Sequence, residues 1–283
     1  MKWIKKNMTT ILLLLILLVG VSLLLYPTVS DYWNSLHQSK AIATYAEAVA
    51  EVDDEQYEQM WDDASEYNQQ LREKTNRWVM TDEEREEYES LLNVSGNGIL
   101  GYIEIPKINV SLPIYHGTDE TILQIAVGHI EGSSLPVGGE GTHTVLSGHR
   151  GLPSAKLFTN LDELVVGDEF YIRVLDETLT YEVDQIRIVE PDDLSELKIE
   201  EGKDLCTLVT CTPYGINTHR LLVRGHRVET KASANSIRVT ADAIQIDPEI
   251  VAPVVAIPIL LMLFIWLLWH SHRRKKEGKK RRG

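Results

Sequence analysis

A chain of 283 residues that is 43% hydrophobic and 25% charged has room for one sizeable core with accessory elements, so a single catalytic domain is the default. Its formal charge of −14 is unevenly spread. Lys2, Lys5 and Lys6 sit at one end and eight basic residues between Arg273 and Arg282 at the other, which leaves about −24 for the middle. Such a domain repels a polyanion, which excludes nucleic acid as a partner.

In chain order, residues 1–7 read as a cytoplasmic N-terminus and 8–26 as an uncleaved signal anchor. That run is almost wholly apolar, is preceded by lysines, is followed by Pro27 without a small-x-small cleavage site, and suffices for a span of roughly 20 residues. Residues 27–97 are acidic and helical in pattern: Ile42, Tyr45, Val49 and Val52 recur at helical spacing, as do Tyr57, Met60, Trp61, Ala64 and Leu71. This segment reads as a helical layer that packs on the domain or spaces it from the membrane, with a regulatory lid as the other reading.

From Gly98 the texture changes to short β-branched runs separated by Gly, Pro, Asp and Asn. Strands are predicted at 101–105, 110–114, 142–147, 169–174, 179–189, 205–210 and 220–226, and helices at 120–126 and 154–164. So many short strands in residues 98–230 predict a mainly β fold, a closed or nearly closed barrel that leaves no exposed edges. Residues 231–250 read as a linker and 251–270 as a second transmembrane helix with Trp266 and Trp269 near its basic end. The basic tail, 271–283, stays in the cytoplasm with the N-terminus under the positive-inside rule. The expected location is the cell membrane, with two spans and the catalytic domain outside.

The two cysteines, Cys206 and Cys211, lie in one extended stretch. At roughly 3.3 Å per residue their Cα atoms stand about 16 Å apart, beyond the roughly 7 Å limit for a disulfide. The odd spacing places them on opposite faces, so one can be buried while the other meets substrate. A cysteine nucleophile needs a proton-exchanging partner and a group that stabilises charge on the attacked carbonyl. Three apolar strand ends supply the types: Cys211, His149 after Val145-Leu146-Ser147-Gly148, and Arg220 after a loop containing Asn217. Spacing alone does not show that they converge.

Thr207-Leu208-Val209-Thr210-Cys211 is similar to the TLxTC signature of sortases. Gly101-Tyr102-Ile103-Glu104-Ile105-Pro106-Lys107-Ile108 resembles the sortase opening strand, Ser147-Gly148-His149-Arg150 the histidine motif, and Cys211 through Arg220 the TCTPYGxNxxR pattern. The resemblance implies a sortase barrel in which Cys211 attacks an LPxTG-like sorting signal after Thr, His149 handles protons and Arg220 positions or stabilises the acyl intermediate. Partners are then pilins or other surface proteins with C-terminal sorting signals, and no cofactor is required. The nine-residue gap from Cys211 to Arg220, the helical N-terminal segment and the second span are most similar to class C, the pilin-polymerising subfamily, in which a pilin lysine accepts the acyl group. A housekeeping sortase using a cell-wall amine is the nearest alternative; a thiol peptidase and a non-enzymatic envelope scaffold are more distant ones.

The Asp-Pro-aromatic lid motif of many class C enzymes is missing before Gly98, so a lid is either built differently, around residues 78–88, or absent. Thr210 and Thr207 are candidate substrate contacts. Cys206 and His143 read as structural, Arg224 competes with Arg220, and His219 and His226 read as rim residues. No group of His, Asp and Glu has metal-ligand spacing.

Overall fold

The computed structural model describes residues 8–231. Within these, the β-branched runs form β1 (Ile99–Ile105), β2 (Val110–His116), β3 (Val127–His129), β4 (Thr142–Ser147), β5 (Glu169–Val174), β6 (Glu177–Val189), β7 (Asp204–Thr212) and β8 (His219–Val228). They close into a barrel of order β1-β2-β3-β4-β7-β8-β6-β5. Closure pairs every strand on both sides, so no edge is left open. The pairs β2·β3 and β4·β7 are parallel; the others are antiparallel.

The chain divides into two units. The described part of the first, residues 8–28, is the apolar stretch of helix α1 (Met8–Ala50), long and apolar enough to cross a membrane. The second holds the barrel and a helical layer. In that layer α2 (Asp54–Glu73) starts at an Asp53 cap and buries Ala64, Tyr67, Asn68 and Leu71. Helix α3 (Asp82–Ser90) opens on a Thr81/Glu84 capping box and buries Tyr88. The helical periodicity in residues 42–71 is thus a packing stripe: Tyr45 is fully buried, and its hydroxyl donates to the Leu100 carbonyl and accepts from the Leu175 amide.

Several sequence expectations change. Pro27 lies inside α1, which runs on for six further turns. The predicted helix at 154–164 does not form; only a 3-10 turn at Leu161–Glu163 does. Leu157 sits at φ 39, in the left-handed region, and the amides of Lys156 and Phe158 bond to the Asp31 side chain and the His149 carbonyl instead of continuing a helix. The predicted 120–126 helix is one turn, α4 (Glu120–Leu123), and β3 was not expected. The second span 251–270, the tail 271–283, residues 1–7 and all but the first residue of the 231–250 linker lie outside the described residues.

Candidate active site

Alternation along β7 divides its side chains between two apolar clusters. Cys206 and Leu208 face the main core, while Val209 points outward into a second cluster with Val145, Leu197 and Leu222. Cys211 has the parity of Val209, Arg220 that of Leu222, and His149 that of Val145. Cys211 and Arg220 therefore belong to one outer face of the barrel, and His149 follows just past the end of β4.

Register brings Cys211 and Arg220 level. Cys211 is the direct partner of Arg220 in the β7·β8 pairing, so the nine-residue spacing is the length of a hairpin whose turn carries Pro213 to Thr218. In the parallel β4·β7 pairing Ser147, the last residue of β4, is opposite Val209; His149 lies two residues beyond the one and Cys211 two beyond the other. The junction is bonded at two points: the Gly148 amide donates to the Val209 carbonyl at 3.0 Å, and the Thr210 hydroxyl donates to the Gly148 carbonyl at 2.8 Å. Gly148 also has no room for a side chain, because a Cβ there would lie 2.7 Å from the Phe158 ring.

The Cys211 thiol is partly exposed, whereas Cys206 is fully buried and its thiol is pushed well above the ordinary range by that burial. Only the thiol on the outer face is open to a substrate. The Nε2 atom of His149 is enclosed yet has no hydrogen-bond partner, with a Glu120 carboxylate oxygen 3.7 Å away. Arg220 donates only to the His219 carbonyl, at 3.2 Å, among the described residues. Cys211 and Arg220 are paired across the β7·β8 hairpin, and His149 follows the end of the strand that pairs with β7 on its other side, each with little spent on internal bonds; a thiol, an imidazole and a guanidinium are the groups that attack on a carbonyl, proton transfer and charge stabilisation require.

Arg224 differs from Arg220. It forks onto Asp184 with two bonds of 2.9 Å and reaches Glu200 at 3.3 Å, which commits it to the fold. Thr207 is also committed: it is buried, and its hydroxyl meets His143 Nε2 at 2.7 Å while His143 Nδ1 meets the Lys198 carbonyl. That pair satisfies a neutral imidazole, and burial lowers the His143 pKa to about 4. Thr210 is buried, with its hydroxyl on Gly148. Both hydroxyls are therefore taken up within the protein, Thr207 on the parity of Val209 and Cys211 and Thr210 on the opposite one.

Two neighbours were not among the predicted site residues, although Arg150 closes the histidine motif and Trp78 opens the candidate lid. Arg150 pairs with Asp162, and its guanidinium lies 5.7 Å from the ring centre of Tyr214, joining the loop after His149 to the turn after Cys211. Trp78 packs on the outer cluster of Val145, Val209 and Leu222. Arg77 lies over the Trp78 ring at 4.1 Å and donates to the carbonyls of Gly132 and Leu197. Gly132 is at φ +81 and lets this strap approach; a Cβ there would meet the Arg77 carbonyl at 2.2 Å. Residues 78–88, the candidate lid, divide: Trp78 lies on the outer cluster, whereas Tyr88 is buried against His129 and His116.

Residues 103–228 match the family described as Sortase domain. The chain is 37% identical over 131 residues to sortase D of Bacillus subtilis (strain 168), spanning 45% of this chain and 63% of that protein. It is 27% identical over 229 residues to sortase A of Bacillus anthracis, spanning 81% and 98%. Among solved structures, sortase C1 of Streptococcus agalactiae is similar with 56% identity and a TM-score of 0.66, covering 68% of this chain and 100% of that one. Sortase C of Clostridium perfringens, solved with the C-terminal cell wall sorting motif, is similar with 46% identity and a TM-score of 0.59, covering 68% and 99%.

Proposed function

The chain belongs to the sortase family of cysteine transpeptidases, and from that premise we propose that it polymerises pilins. In this reading Cys211 sulfur attacks the Thr carbonyl of an LPxTG-like sorting signal, the Thr–Gly bond breaks, and the departing amine takes a proton from His149. Arg220 stabilises the charge that develops on the attacked oxygen. A pilin lysine then attacks the Thr thioester, an isopeptide bond forms, and the thiol is released. No redox change occurs, and the reaction needs no cofactor.

The observation that carries the choice of acceptor is the likeness to sortase C enzymes at 56% and 46% identity over nearly their whole chains, against 27% to a sortase A over a similar extent. The domain works outside the cell, held by the apolar stretch of α1. Trp78 and its strap control access to the outer face that leads to Cys211. Purified enzyme, offered a sorting-signal peptide with either a lysine-bearing pilin or a cell-wall precursor amine, tests the acceptor. Transfer to the pilin lysine is expected. Exclusive transfer to the wall amine would make it a housekeeping enzyme, and release of free peptide acid alone a peptidase.

A further inference from the structure

Helix α1 does more than hold the domain: we propose that its face bearing Asp31, Asn34 and Gln38 positions His149 by fixing the two segments that flank it. Asp31 Oδ1 accepts the Lys156 amide at 2.8 Å, and Asn34 Nδ2 donates to the Ser154 carbonyl at 2.8 Å. Both contacts are on the loop that leaves His149 and returns at Phe158, whose amide bonds the His149 carbonyl. Gln38 Nε2 donates to the Ile125 carbonyl at 2.7 Å. Ile125 ends the short segment that begins with Glu120, the carboxylate nearest to His149 Nε2.

The three positions follow i, i+3, i+7, and Tyr45 follows at i+14, so all four lie on one helix face. Tyr45 is the fixed end. It is fully buried and bonded to the backbone of Leu100 and Leu175. From there to Asp31 the helix reaches about 21 Å at 1.5 Å per residue, a rod with one end in the barrel wall and the other on the catalytic loop. Neither flanking segment has more than a little regular structure to hold itself: the loop has Gly151 and Leu157 at positive φ and one isolated bridge, Leu152 to Ala155, and α4 is a single turn. The side chains of α1 supply what repeating backbone bonds supply elsewhere. Asp31, Asn34 and Gln38 are positioning residues that act through the loops and do not touch substrate.

The proposal rests on the sortase reading for its substrate, so the test includes one readout that needs no substrate. Full-length protein in detergent would carry Asn34→Leu with Gln38→Met, both similar in shape and helix-forming, and separately Asp31→Ala and Asp31→Asn. Formation of the Cys211 thioester from a sorting-signal peptide, alkylation of Cys211 by iodoacetamide, and the thermal midpoint would each be measured, with Gln59→Ala at an exposed position of α2 as control. Expected is a drop of roughly tenfold in kcat with KM unchanged, because misplacing a catalytic group costs turnover and not binding. Alkylation of Cys211 should change by severalfold, the midpoint should hold, and Asp31→Asn, which keeps the acceptor, should recover what Asp31→Ala loses. Unchanged thioester formation and alkylation would overturn the proposal, as would losses that simply track a falling midpoint. Wild-type protein that forms no thioester while the variants still alter alkylation would remove the substrate reading and leave the positioning role standing.

Discussion

Replacing Thr210 with valine tests the join between the nucleophile strand and the histidine loop. The Thr210 hydroxyl donates to the Gly148 carbonyl at 2.8 Å, one residue before Cys211 on one side and one before His149 on the other. Thr210 is 2% exposed, so water does not replace the lost donor. A buried carbonyl left without its partner costs about 1–3 kcal/mol, and valine fills almost the same volume, so no cavity offsets or adds to that figure. For a folded unit of some 200 residues, a loss of about 2 kcal/mol moves the thermal midpoint down by roughly 4–8 °C. The same change frees the His149 loop from the Cys211 strand, so thioester formation should slow by more than the stability loss explains at 25 °C. Differential scanning calorimetry and a mass-resolved acylation time course would be run beside Thr210→Ser, which keeps the hydroxyl. Wild-type midpoint and rate in the valine variant would refute the reasoning.

Arg220→Ala should lower thioester formation by about 10²–10³ with the midpoint little changed, whereas Arg224→Ala should lose about 2–4 kcal/mol, because it strands the Asp184 carboxylate, while retaining turnover at permissive temperature; paired calorimetry and acylation assays separate the two. Trp78→Ala should speed iodoacetamide labelling of Cys211 severalfold by clearing the outer cluster, and an unchanged rate would show that the strap does not control access. His129 and His143 are buried neutral with pKa values lowered to about 4, so the unfolded chain binds more protons between pH 6.5 and 4. Their stabilisation is full above pH 6.5 and is lost as pH falls toward 4, at about 1.4 kcal/mol per pH unit for each histidine. Denaturation midpoints measured between pH 7 and 5 should show that slope, and it should flatten when His143 is replaced by asparagine.

The barrel was legible because its strands alternate under burial. In β7 one parity enters the core and the other the outer cluster, and that pattern is written in Cys206-Thr207-Leu208-Val209-Thr210-Cys211. The spacing of Cys211 and Arg220 carries geometry for the same reason, since a hairpin turns sequence distance into register. The loop at 154–164 misled because its apolar and charged residues alternate as in a helix, while the Lys156 amide is taken by Asp31 of α1, 125 residues away, and the Phe158 amide by the His149 carbonyl. Long-range bonds of that kind leave no local trace. Strand β3 escaped notice since three residues, Val127, Gly128 and His129, are too few to show a period. The choice between Arg220 and Arg224 could not be made from parity, which they share. Nearness to the loop after Cys211 favours Arg220, and the pairing of Arg224 with Asp184 and Glu200 supports that reading.

The central claim is that the thiol of Cys211, and not that of Cys206, carries the acyl group. Incubation of the full-length protein with an LPxTG-like peptide, followed by acid quench and peptide-resolved mass spectrometry, tests it most directly. The account predicts a Thr-terminated adduct on Cys211 that persists in Cys206→Ala and vanishes in Cys211→Ala. An adduct on Cys206, or one that survives Cys211→Ala, would contradict it.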